Sequence, residues 1–161
     1  MLRKFFRILV IVAAVFGAIV SAGIGFGIYK NRALAADGRA YVDAAVPAIA
    51  AHWSKDELWS RAAPELKQHL QPGDLDRLFN IFSRLGDLVQ YEGATNQNAS
   101  EFTSTGSGTV ATANYVAKAK FQNGEATFQL LVVKRDGQWM IQGFRVDSPV
   151  LAPGTPHPER L

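Results

Sequence analysis

Apolar and polar positions change their period along the chain. From Ile8 to Tyr29 there is no period: 22 residues carry no charge. Arg3, Lys4 and Arg7 precede this run, and Lys30 and Arg32 close it. About 20 apolar residues cross a bilayer core as a helix, so the run predicts a transmembrane helix. From Asp37 the period is helical, with Val42, Val46, Ile49 and Trp53 on one face and Tyr41 and Ala45 beside it. Pro47 inside this stretch is expected to kink or split the helix. Ser54 and Glu57 have capping-box spacing before a second short helix through Leu58 and Trp59. Pro64 interrupts or restarts it. Pro72-Gly73 reads as a break. Asp74 then caps a third helix, with Leu75, Leu78, Phe79, Phe82 and Leu85 on one face and Gly86 as its stop.

After Gly86 the period becomes two. A strand is expected near Leu88–Glu92. The polar stretch Asn96–Gly108 reads as a loop or a frayed edge strand. Three strands follow, joined by Asn123-Gly124 and Asp136-Gly137, dipeptides that suit two-residue type I′ turns. A turn at Asn123-Gly124 pairs Phe121 with Ala126, Ala119 with Phe128, Ala117 with Leu130 and Tyr115 with Val132. A turn at Asp136-Gly137 pairs Val132 with Ile141 and Lys134 with Trp139. All these residues fall on one face, as a half-buried antiparallel sheet requires. The phase slips after Ile141, and a bulge at or near Gly143 is expected to return Phe144 and Val146 to the core. The first long strand presents Ala111, Ala113, Ala117 and Ala119 inward, and the first helix is also alanine-rich. Two such surfaces predict close helix-on-sheet packing. On the other sheet face, Val116 is expected opposite Leu131, and Val133 opposite Met140. An apolar patch there points to an interaction surface.

Composition changes the picture in two places. Of 17 Lys and Arg, five flank the apolar run, while all 14 Asp and Glu lie beyond it. Twelve basic residues against fourteen acidic leave the rest at −2. The basic character therefore belongs to the flanks of residues 8–29, and the expected partners include a membrane but no nucleic acid. The chain has no cysteine, which removes disulfides and thiolate metal ligands. His52, His69 and His157 lack metal-ligand spacing, so no metal or cofactor is expected. Gly23-x-Gly25-x-Gly27 lacks dinucleotide-loop spacing, and "TGSGT" around Ser107 is not a nucleophile elbow. No catalytic residues are assigned.

Within residues 8–29, Ala13, Gly17, Ser21 and Gly25 recur every fourth position, a small-residue face that lets helices approach closely in a membrane. Val20-Ser21-Ala22 also has the form of a signal-peptidase site, and Ala33-Leu34-Ala35 is a second such site. Retention is favoured over cleavage because the apolar run continues to Tyr29. The expected place is the bacterial inner membrane, with the N-terminus inside and the domain in the periplasm. The alternative is a secreted or periplasmic protein cut after Ala22. The expected divisions are 1–7 cytoplasmic, 8–29 membrane, 30–36 linker, 37–150 domain and 151–161 a Pro-rich disordered tail.

Helices followed by a meander ending in "RDGQWMIQGFRVDS", with Gly137, Trp139, Ile141 and Phe144, resemble the nuclear-transport-factor-2-like superfamily, also called ketosteroid-isomerase-like or cystatin-like rolls, over residues 37–150. The resemblance implies a cone with helices on the concave sheet face and frequent dimerisation through the sheet. The fold class expected is thus α+β: an N-terminal transmembrane helix followed by a roll of about three helices packed on a curved antiparallel sheet. The functional expectation is a non-catalytic membrane protein whose domain serves protein interaction or assembly, as a homodimer or within a membrane complex. The alternative is a small apolar ligand binder or isomerase-like enzyme, with Tyr41, Trp53, Tyr91, Tyr115 and Trp139 lining the cone.

Overall fold

The structure, a computed structural model, describes residues 32–70, 72–104 and 108–152. The chain divides into two compact units, Met1–Leu34 and Ala35–Leu161; residues 32–34 are the described part of the first. The membrane segment 8–29, its small-residue face Ala13, Gly17, Ser21 and Gly25, the cleavage position at Ala22 and the tail beyond Ala152 lie outside the described residues.

Helix α1 occupies 32–50, so residues 32–36, read above as linker, are helical. Pro47 does not split it, because it sits in the last turn. There its ring removes one amide bond, while its own carbonyl accepts from Ala51 N (2.9 Å). The helix closes in a Schellman motif, with Ser54 N donating to Ile49 O at 2.9 Å. Trp53 holds the left-handed position of that motif, with φ 49°. Glycine normally takes this place. Here the indole offsets the strain: it stacks on Phe121 at 5.1 Å, meets Phe82 at 5.5 Å, and donates to Gly86 O at 3.0 Å.

Helix α2 is Lys55–Arg61, capped by Ser54, whose hydroxyl accepts from Glu57 N (3.3 Å). The reciprocal half of the capping box is missing, because the Glu57 carboxylate pairs with Arg61 (2.9 Å) instead. Ala62 and Ala63 turn extended and join the sheet edge, and Pro64 then starts α3, Pro64–His69, at its first position. Helix α4 is Pro72–Phe82. Pro72-Gly73 is therefore its first turn and not a break. Leu75, Phe79 and Phe82 are buried on its inner face, whereas Leu78 is 38% exposed. A 3-10 turn, Ser83–Leu85, leads into the sheet.

The sheet is antiparallel with order β1-β2-β3-β4: Leu88–Ser104, Gly108–Phe121, Gly124–Arg135 and Gln138–Asp147. Asn96 onward is thus edge strand and not loop. Its pairing to β2 slips after Leu88, Tyr91 and Asn96, and such bulges hide strand periodicity and blunt an edge. The β3–β4 hairpin has the expected register, Val132 opposite Ile141 and Lys134 opposite Trp139. Asp136 and Gly137 have φ 51° and 80°, as a type I′ turn demands. The β2–β3 turn falls at Gln122-Asn123, with Phe121 opposite Gly124 and Ala119 opposite Ala126. Neither turn residue has positive φ, so it is not type I′. The register differs from expectation by two, which keeps every side chain on its face. The register shift between Leu131 and Val132 leaves Gln142 as the bulged residue and sets Phe144 against Leu130 and Val146 against Phe128. After β4, Ser148 caps a second 3-10 turn, Pro149–Leu151. Val150 and Leu151 pack on the core, so the ordered chain runs past the boundary expected at residue 150.

The core lies between the helices and one sheet face. It joins Val42, Ala45, Val46, Ile49 and Ala50 of α1 to Ala94, Ala113, Ala117 and Ala119 and to the larger Phe128, Leu130, Val132 and Ile141. The two alanine surfaces are thus packed together.

The expected fold class is corrected. What is seen is an α+β fold of a four-stranded antiparallel sheet with four α-helices and two 3-10 turns, not three helices behind a membrane span. No helix among the described residues is long and apolar enough to cross a membrane. The described part of α1 carries Arg32, Asp37, Arg39 and Asp43, and α2, α3 and α4 have 7, 6 and 11 residues, well short of a bilayer core.

Candidate functional site

The five aromatic residues named for a cone pocket sit at the helix–sheet interface, each against its own neighbours. Trp53 belongs to the stack described above. Tyr91 donates to Asp43 Oδ1 (2.7 Å), which also accepts from Ala94 N (2.8 Å), while Arg39 Nε donates to Asp43 Oδ2 (3.3 Å). Burial and the neighbouring carboxylate push the Tyr91 phenol far above its usual range, so it stays a donor. Asp43 thereby fastens β1 to α1 beside the bulge at Glu92. Tyr115 is 1% exposed and donates to Ala35 O at 2.7 Å. Burial raises its pKa too. Trp139 Nε1 donates to Asp37 Oδ2 (3.0 Å), which also takes the Lys134 ammonium. These two donors hold the Asp37 carboxyl below its ordinary value. The Tyr41 hydroxyl is buried without a hydrogen bond, and burial raises its pKa.

Tyr115 and Trp139 converge on Gly38. A Cβ there would lie 2.5 Å from the Tyr115 oxygen and 3.1 Å from the Trp139 ring. The α1 backbone therefore touches both rings directly. Asp37 and Asp43 spend their oxygens on donors that brace helix to sheet, which is the chemistry of attachment.

The sheet face away from the core is different. It holds a trough of about 360 Å³ that touches all four strands, lined by Gln97, Asn114, Val116, Gln129, Leu131, Gly143 and Arg145, among others. Val116 and Leu131 were expected to face each other. They are diagonal, because Val116 lies opposite Gln129 and Leu131 opposite Asn114. The register slip by two separates them. Val133 does lie opposite Met140, but Val133 is 1% exposed and Met140 half-buried. The floor is shallow at Gly143, where a side chain would press on Leu131 Cβ at 3.3 Å. Amides and one guanidinium form the rim. Asn114 Nδ2 donates to Asn98 Oδ1 (2.7 Å), and Gln129 Nε2 and Arg145 Nε both donate to Asp147 (3.0 and 2.9 Å).

The pattern of the sequence pointed to this face through Val116 and Leu131. It did not single out Gln97, Asn114, Gln129 or Arg145. The signal that existed was the phase slip after Ile141, since the bulge at Gln142 and the bare Gly143 shape the floor.

Among the described residues, no group of three His, Asp or Glu is placed to hold a metal ion. No protein-family model matches the chain, and no curated protein is similar to it.

Proposed function

We propose that this chain is a non-catalytic interaction module that associates with a second copy of itself through the outer sheet face. The observation that carries this reading is the trough crossing all four strands, where half-buried Val116 and Leu131 sit within a polar rim. An apolar centre ringed by hydrogen-bonding groups is the usual anatomy of a protein contact. Side-chain amides both donate and accept, so a rim of Gln97, Asn114 and Gln129 is complementary to a copy of itself, as a two-fold interface requires. The order of helices and meander supports a nuclear-transport-factor-2-like roll, a fold in which function must be argued from the site. The charge-free run 8–29 with its basic flanks supports a place of work at a membrane.

Sedimentation of the full-length protein in mild detergent tests the proposal. The expected result is concentration-dependent association that Leu131→Lys abolishes without lowering the melting temperature. A wild-type protein that stays monomeric, or a Leu131→Lys protein that associates unchanged, would overturn it.

A further inference from the structure

A second concavity lies on the core side of β4. Its lining is Leu58 of α2, Leu66 of α3 and Leu70 just beyond it, Leu75, Leu78, Phe79 and Phe82 of α4, and Phe144, Arg145 and Val146 of β4. It encloses about 230 Å³. None of the five aromatic residues discussed for the cone lines it. The groove exists because the chain leaves this corner unfilled. Ala62 and Ala63 cover the edge of β4 only at Ile141. Beyond the bulge, Phe144 and Val146 turn their side chains inward, while α3 and α4 present leucines to the same space.

We propose that this groove binds a free medium-chain fatty acid, with the hydrocarbon between α3, α4 and β4 and the carboxylate on Arg145. Nine of the ten lining residues are apolar and carry no side-chain polar atom, which suits an alkyl chain and nothing that needs hydrogen bonds inside. A dry apolar cavity of about 150 Å³ is enough to take benzene, and a water-sized group occupies about 30 Å³. The groove therefore holds a chain of about seven or eight carbons. The one charged residue fixes the head group. Arg145 is 70% exposed and gives its Nε and one Nη to a single oxygen of Asp147, each at 2.9 Å. Its remaining N–H donors are open to a carboxylate, which a guanidinium meets in a matched fork.

The proposal is independent of self-association through the trough, and its test separates the two. Octanoate and octan-1-ol are titrated into full-length protein held in amphipol, by calorimetry. The expected result is saturable one-to-one binding of octanoate, with affinity rising about fourfold per methylene from butanoate upward and levelling near eight carbons. Leu70→Trp, which fills the groove, weakens both ligands at least tenfold. Arg145→Gln weakens octanoate about tenfold and leaves octan-1-ol unchanged. Absence of saturable octanoate binding to the wild type overturns the proposal. So does binding that neither variant weakens, and so does an Arg145→Gln protein that takes octanoate as the wild type does. Leu131→Lys, far from the leucines of the groove, keeps octanoate binding while it breaks association.

Discussion

Gly38 shows how one missing side chain sets a distance. Alanine is worth about 1 kcal/mol more than glycine inside a helix, yet here its Cβ would sit 2.5 Å from the Tyr115 oxygen. That oxygen belongs to a buried ring held by Ala35 O, so it has nowhere to go. Overpacking of this kind costs about 1–3 kcal/mol. Gly38→Ala is therefore expected to lower the melting temperature. In a Tyr115→Phe background the same change should cost less, because the atom it meets is gone; equal cost in both backgrounds would refute the contact. Tyr41 is the opposite case. Its hydroxyl is buried without a partner, and an unsatisfied polar group carries a desolvation penalty of about 1–3 kcal/mol. Tyr41→Phe is expected to be neutral or stabilising in thermal melts, where most core substitutions destabilise.

At the scale of elements, Asp37 ties α1 to the β3–β4 hairpin through Lys134 and Trp139. Its carboxyl is held below the ordinary value by those donors. The stabilisation is thus fully present above the unfolded value of about 4 and is lost as pH falls through the folded value. Asp37→Asn should flatten the acid limb of stability in that window. An unchanged acid limb would show that the pairing contributes nothing. The hairpin itself was legible in the sequence, since Asp136 and Gly137 accept the positive φ that a type I′ turn imposes. Asn123-Gly124 gave the same signal, but the turn moved one residue earlier. Gln122 N donates to Asp87 O and Asn123 N to Leu85 O, so contacts distant in sequence chose the position. The parity of the strands survived that shift, which is why the buried face was readable and the cross-strand partners were not. The length of β1 was hidden by its polar residues and three slips. The end of α1 was hidden because tryptophan stands where glycine normally marks a left-handed cap. The groove beside β4 is assembled from three helices and a strand, so no single stretch of sequence carries it.

For the whole molecule, two concavities lie on opposite faces of one sheet, with Arg145 at the edge between them. The core face is closed by alanine-on-alanine packing, and its carboxylates are spent on bracing. What remains open is the outer trough, which gives the account its central prediction. Sedimentation of the full-length protein over a hundredfold range of concentration, with wild type and Leu131→Lys side by side, tests it most directly. Association of the wild type that disappears in the variant, with the melting temperature kept, is the result predicted. A wild type that remains monomeric throughout, or a variant that associates as the wild type does, would contradict it.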